Sequence, residues 1–475
     1  MKKIVILGGG TAGWITALYL NKIIPNISIT LIEGKTTSTI GVGEATTPHF
    51  VDFLHQMNID VFDFIKKTQG TIKNGISFEN WNGDNKKYFH HFGEEKITDF
   101  KDYISFLKYL HNKKLNFNDY IYSTKISYEN KVNLDYTYYA LHFDNFKVAE
   151  YFKEIGQQRG IKVIIDDFEK VNTNDDNDIT SIDLKTHKKI KCDFIFDCSG
   201  FSRLIIQKHY NINFKDYKDY LPMKRAIIAP KEIKEKLFPY TKSICMKYGW
   251  VFEIPLQYRI GRGYIFDSDY INDEQAVKEL ETYYNEKLKD FRVINFNTGR
   301  MEKTWIKNCM SIGLSHSFLE PIESTSIYVT LGQLNTLKDF IPSLFTKNNS
   351  LKKTFNDIMN ITLDRIADFI FLHYCTKRKD SLFWKEFKTK YKPSINLKNI
   401  IDKFDDCSIT EYDIKDFKTS SGFGLYNHMM IVKGLELMNQ KFDLDFDFDL
   451  KKYKTILNIN SDNDKDIQIF LNNLK

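Results

Sequence analysis

The spacing of hydrophobic positions changes from strand to helix and back within the first 33 residues. Lys3 to Leu7 is a short apolar run with β-branched residues, the pattern of a buried parallel strand. It enters Gly8-Gly9-Gly10-Thr11-Ala12-Gly13, after which Ile15, Leu18, Tyr19 and Ile23 recur at helical spacing until Pro25. Ile27 to Ile32 repeats the strand pattern and ends on Glu33. Further on, Lys191 to Asp197 predicts another buried strand, and Asn172 to Asp178 a polar turn between strands. Ile244 to Leu256 and Gly263 to Phe266 predict a sheet, and Ile327 to Leu331 lies in a predicted helix. Beyond residue 345 the spacing of Ile358, Ile361, Ile366 and Phe369 is helical, and no internal repeat is evident.

Composition narrows the class. A chain of 475 residues exceeds what one core usually serves, so two interlocked or successive domains are expected. Hydrophobic residues at 42% and charged residues at 27% describe a globular protein, and 15% aromatics is enough to line a large cavity as well as a core. The net charge of +6 comes from scattered lysines without interleaved aromatics, which argues against nucleic-acid or membrane binding. Six widely spaced cysteines (Cys192, Cys198, Cys245, Cys309, Cys375, Cys407) form no C-x-x-C pair, which favours free thiols over disulfides or a metal site. The glycines at 8–10 interrupt any signal-peptide core and no run approaches a membrane span, so a cytoplasmic protein is expected.

The first 33 residues form a strand–GxGxxG–helix–strand–acid unit, which binds dinucleotides. Gly8 makes the tight turn, Gly10 lets the backbone approach a pyrophosphate, and Gly13 permits close helix–strand packing. The helix N-terminus offers free amides and the positive end of its dipole to the phosphates. Glu33, 20 residues past Gly13, is placed to accept hydrogen bonds from a ribose. Two later segments, Gly41-Val42-Gly43-Glu44-Ala45-Thr46 and Asp197-Cys198-Ser199-Gly200, resemble the secondary nucleotide contacts of FAD oxidoreductases of the hydroxylase type.

Several blocks resemble flavin-dependent halogenases of the tryptophan halogenase type, from residue 1 to about residue 385. They are Gly41 to Pro48, Tyr139 to Asp144, Asp197 to Phe201, and Gly299-Arg300 with Trp305, Asn308-Cys309 and Ile312-Gly313. Two motifs are more specific. Trp250-Val251-Phe252-Glu253-Ile254-Pro255 is similar to the family's Trp-x-Trp-x-Ile-Pro, with Phe252 in place of the second tryptophan. In the family these bulky residues keep substrate away from the flavin. Phe318-Leu319-Glu320-Pro321-Ile322-Glu323-Ser324-Thr325-Ser326 is similar to Phe-x-x-Pro-x-x-Ser-x-Gly, with Ser326 replacing the glycine. The resemblance implies FAD, used as FADH2, with contacts at Gly8, Gly10, Thr11, Ala12, Gly13, Glu33, Gly43, Ala45, Leu314 and Ile327. It implies a halide (chloride, bromide or iodide) and O2 as co-substrates, the halide held by the amides of Thr325 and Ser326. If the glycine position needed positive φ, Ser326 would cost about 1–2 kcal/mol there.

The chemistry implied by the resemblance needs an oxidant, a relay and a base. Reduced FAD, O2 and halide yield hypohalous acid, which must be held and aimed. The matching lysine is Lys73, in Gly70-Thr71-Ile72-Lys73-Asn74-Gly75-Ile76, which relays the halogen as a haloamine or by hydrogen bonding. Any single lysine in a lysine-rich chain is more often solvated. The implied base is Glu323, which stabilises the cationic ring intermediate and accepts its proton; the plainer alternative is a capping carboxylate near a helix start. In Tyr88-Phe89-His90-His91-Phe92-Gly93, His90 and Phe92 match residues that sandwich the substrate ring, although aromatic runs are often plain core.

The expected architecture is α/β: a Rossmann-type FAD-binding module (1–80, 145–205, 300–345) with substrate-domain insertions at 85–140 and 210–298. The insertions carry a β-sheet over the flavin, and residues 346–475 form a helical substrate-side region. No tryptophan follows Trp384 and the end of the chain, Phe442 to Lys475, is rich in Asp and Lys. That departs from tryptophan-specific members and points to another indole or phenol, or a carrier-bound group. No second nucleotide fingerprint is evident, so a separate NAD(P)H-dependent flavin reductase is the expected partner, and a homo-oligomer is compatible with the sequence. No metal is expected. Two rivals share the FAD fold: an aromatic monooxygenase and a silent FAD-binding protein.

Overall fold

The computed structural model describes residues 1–35, 43–93, 103–414, 422–444, 447–451 and 463–474. The Gly41-Val42 half of the glycine-rich block and part of the segment after Phe442 lie outside the described residues.

Lys2–Leu7 and Ile27–Glu33 pair in parallel, joined by the helix Thr11–Ile23. Phe194–Asp197 pairs in parallel on the other side of Lys2–Leu7, and Cys309–Ser311 and Lys162–Ile165 extend the sheet outward. Trp305–Ile306 closes one edge as the antiparallel sixth strand. Lys2–Leu7 sits inside this sheet and is buried from Ile4 on, which is why it reads as an unbroken apolar run. The polar turn Asn172–Asp178 joins the antiparallel strands Phe168–Thr173 and Ile179–Leu184.

A second, seven-stranded sheet has the order Arg292–Asn295, Arg225–Ile228, Ile260–Phe266, Gly249–Pro255, Thr241–Cys245, Gly75–Glu79, Lys87–His91. It is antiparallel except where Thr241–Cys245 meets Gly75–Glu79. Side chains alternate along Gly249–Pro255. Trp250, Phe252 and Ile254 face the core shared with the C-terminal helices, and Val251 enters the cluster on the opposite face. A small third sheet places Ala140–Phe143 between Glu44–Ala45 and Thr71–Lys73. The chain passes from Thr71–Lys73 through Asn74 straight into Gly75–Glu79, so Lys73 sits where two sheets meet.

After residue 345 the described chain is largely helical, and Asn349–Leu372 is its longest helix. Its buried stripe runs through Phe355, Met359, Leu363, Ile366 and Ile370. Ile361 falls off that stripe and is exposed, contrary to the expected face. The helix is pinned to the first sheet by Asn356, whose side chain accepts from the amides of Thr304 (2.9 Å) and Trp305 (2.8 Å) and donates to the Trp305 carbonyl (2.9 Å). Two turns on, Arg300 grips Asp364 through two hydrogen bonds of 3.0 and 3.2 Å. These anchors fix where the C-terminal end of the helix points, and that end carries His373 and Tyr374. All six cysteines are free. Among the described residues no helix is long and apolar enough to cross a membrane.

Replacing Asn356 by alanine strands two buried amides. Stability is expected to fall by about 2–4 kcal/mol, read as a lower urea midpoint, and an unchanged midpoint would show that the helix is not held here.

Candidate active site

The nucleotide end is shaped by close backbone approach. Gly8 has φ +131°, and a Cβ there would overlap the carbonyl oxygen of Cys198; one on Gly13 would overlap the Gly8 carbonyl. A Cβ on Gly10 would meet nothing within 4 Å, so open space lies beside the N-terminus of Thr11–Ile23, which has no side-chain cap. A pyrophosphate fits there. Glu33 ends its strand with one oxygen on Lys153 (2.8 Å). The short turn Gly313–Ser315, with Leu314 at its centre, packs against Thr11–Ile23 and Thr325–Phe340. The Asp197 carboxylate, by contrast, is spent on its own chain. It accepts from Ser199, from the Ile205 and Ile206 amides and from the Ser315 hydroxyl.

Lys73 is fully buried. Its ammonium donates to the Thr46 carbonyl (2.9 Å) and to the Ser324 hydroxyl (2.8 Å), and lies 5.0 Å from the centre of the Phe92 ring. Among the described residues no carboxylate is within ion-pair distance of it. Burial pulls its pKa down from 10.5 to about 7, against the upward pull of the nearby Glu323 charge. His142 lies beside it, held well below its ordinary range by burial and then by the Lys73 charge.

Glu323 ends the short turn Pro321–Glu323, just before the helix Thr325–Phe340. It does not cap that helix. Its carboxylate is met by His90 Nδ1 (3.0 and 3.1 Å) and by His373 Nε2 (2.8 Å to Oε1). Burial alone would raise its pKa, but the His90 charge and the hydrogen bonds from His373 and His90 outweigh it and hold the group at about 2. His90 Nε2 is held by Asn427 Oδ1 at 2.8 Å, so both ring nitrogens are engaged. Sequence spacing brings none of His373, Asn427, Ser324 or Thr46 into this group. His373 is merely the residue after a long helix and Asn427 lies in the helix Leu425–Gly434, far from every motif read in the sequence. Among the described residues no cluster of His, Cys, Asp or Glu could hold a metal ion.

The backbone strain considered for Ser326 is absent. The left-handed residue is Ser324, at φ 60°, while Thr325 and Ser326 begin the helix. Their amides belong to the first turn, where no carbonyl of the same helix can reach them. The Thr325 hydroxyl is buried without a partner. Phe252 lies across Gly263, where a Cβ would overlap its ring, and Trp250 donates from Nε1 to the Tyr374 hydroxyl at 2.9 Å.

The family model for tryptophan halogenases matches residues 3–445. Tryptophan 7-halogenase of Lentzea aerocolonigenes is 30% identical over 423 residues, covering 81% of this chain and 78% of its own. A flavin-dependent halogenase from Xanthomonas campestris superimposes with TM-score 0.91 at 26% identity, over 100% of this chain and 98% of the other. One from a Brevundimonas species does so with TM-score 0.90 at 27% identity, over 100% and 99%. Reduced FAD, O2 and a halide are therefore its reactants, and the buried amine and carboxylate sit in the matched region. The chain belongs to the tryptophan halogenase family and is a flavin-dependent halogenase.

Proposed function

We propose that Lys73 relays an electrophilic halogen to an electron-rich aromatic ring and that Glu323 removes the ring proton. One observation carries this reading: a fully buried amine without an ion-pair partner among the described residues lies close to a buried, ionised carboxylate. Reduced FAD, when bound, supplies with O2 and halide the hypohalous acid. Gly8, Gly10, Thr11, Ala12, Gly13 and Glu33 hold the dinucleotide, and Gly43, Ala45, Leu314 and Ile327 line its flavin side. The amides of Thr325 and Ser326, with the unpartnered Thr325 hydroxyl, form the halide nest.

An amine with a pKa near 7 is partly unprotonated at neutral pH, so its lone pair is available to take the halogen. Hypohalous acid passes its halogen to the amine with release of water. The ring carbon then attacks the halogen, and the nitrogen–halogen bond breaks with its electron pair returning to the Lys73 amine. The carboxylate stabilises the cationic ring before taking its proton. Phe92, stacked near the ammonium, and the faces of His90 hold the arene. The substrate class is a small indole or phenol, or a carrier-bound aromatic group, with a separate flavin reductase supplying FADH2.

Lys73→Ala is expected to lose about 10³-fold or more in bromination of an indole and phenol panel while still binding FAD, and Glu323→Gln about 10²-fold. Product masses decide it; hydroxylated product from the wild type would transfer the case to an aromatic monooxygenase.

Lys73 is neutral above its pKa, so kcat/KM is expected to rise with pH through about 7 and then level off. A fall through the same range would mean that the ammonium acts as a hydrogen-bond donor to hypohalous acid instead.

Because Ser326 is helical, Ser326→Gly is expected to leave halogenation intact and to change only the ratio of chloride, bromide and iodide turnover. Identical ratios in the two proteins would show that the side chain plays no part in halide choice.

A further inference from the structure

The turn that carries Glu323 also carries Glu320, and both carboxyl groups are fully enclosed. Their surroundings differ in one respect. Glu320 accepts from the Tyr374 hydroxyl and from the Met223 amide (3.3 Å), both neutral donors, and burial pushes it up to about 7. Glu323 meets two imidazoles and is held at about 2. Adjacent residues at the end of one helix make the distinction, since Tyr374 serves Glu320 and His373 serves Glu323.

The tautomer of His373 is set by the backbone. Its Nδ1 lies 2.9 Å from the Phe369 carbonyl, which can only accept, so Nδ1 carries a hydrogen. A proton in the 2.8 Å contact between Nε2 and Glu323 Oε1 then sets a positive ring against a negative carboxylate. Oε1 receives both His373 and His90, whereas Oε2 has only the 3.1 Å contact to His90. Oε2 is therefore the oxygen left for a substrate proton.

We propose that His373 is a positioning residue for halogenation: acting through Glu323, it occupies Oε1 and keeps the carboxylate ionised inside a buried site, so that Oε2 can take the ring proton. The inference rests on Glu323 being the base. The other titratable groups facing this cluster are Lys73 from its strand, Tyr88 and His91 from Lys87–His91, and His428 from the helix Leu425–Gly434. His91 and His428 are pulled down by burial, to about 3 and about 4, and supply no positive charge near neutrality. Without His373, only His90 opposes burial at Glu323, and the carboxyl is held less firmly in its ionised form than in the wild type.

The test compares bromination of an indole by wild type and His373→Gln between pH 5.5 and 9 at about half-unit steps. Below pH 7 the wild type is expected to lose about tenfold per unit, for one titrating group. The variant is expected to fall off more steeply than the wild type toward pH 5.5, as a second group begins to titrate, and to recover to within about tenfold of wild type near pH 9. A loss independent of pH, or a wild-type profile, overturns the proposal. A second measurement needs only folded Glu323→Gln as reference. In the difference infrared spectrum against wild type at pH 6–8, Glu323 is expected to give carboxylate bands and no protonated carbonyl stretch. A protonated stretch overturns the proposal whatever the variant's folding. Failure of the wild type to halogenate any of the panel would instead strike at the reading of Glu323 as base, and the infrared result stands apart from it.

Discussion

A carboxylate taken out of water has to be compensated on the spot, and this requirement organises the site around Glu323. Its charge is met by two imidazoles drawn from separate elements, His90 from the strand Lys87–His91 and His373 from the end of Asn349–Leu372. Each imidazole is held in turn from behind, by Asn427 and by the Phe369 carbonyl. The amine of Lys73 is treated differently. It receives only neutral acceptors, the Thr46 carbonyl and the Ser324 hydroxyl, so the cost of burying its charge appears as a lowered pKa rather than as an ion pair.

The architecture supplies this arrangement from parts far apart in sequence. Thr71–Lys73 belongs to the small sheet that also contains Glu44–Ala45, and it runs directly into the seven-stranded sheet. Lys73 is therefore fixed by two sheets at once. The long helix is tied to the parallel sheet by Asn356 and to Arg300 by Asp364, so the position of His373 is referred back to the dinucleotide-binding unit. Lys73, Glu323 and the glycine-rich turn are thus tied to one framework, and the proposed aiming of a reactive halogen calls for that.

The departures from the family motifs fall where the structure tolerates them. Phe252 fills the space over Gly263 and keeps an aromatic surface beside Trp250, 6.3 Å between ring centres. Ser326 lies in a helical turn that accepts any L residue, and the left-handed conformation belongs to Ser324, whose hydroxyl is needed by Lys73.

Local patterns alone determined the dinucleotide unit, because the strand period, the helix period and the glycine turn each depend on residues only a few positions apart. Thr11–Ile23, Ile27–Glu33 and the strands at 241–266 lie where the patterning places them. Family motifs in the chain singled out Lys73 and Glu323 as a candidate pair, again from short blocks. What the sequence could not disclose is why either group has the chemistry it has. A lysine is solvated and basic by default, and a glutamate before a helix is a cap by default. Only tertiary structure buries Lys73 away from any partner acid among the described residues, and only it brings His373 and Asn427, 50 and 104 positions beyond Glu323, onto the carboxylate side. A pKa is set by solvent access and by charges within a few ångströms, and neither quantity is written in the order of residues along a chain.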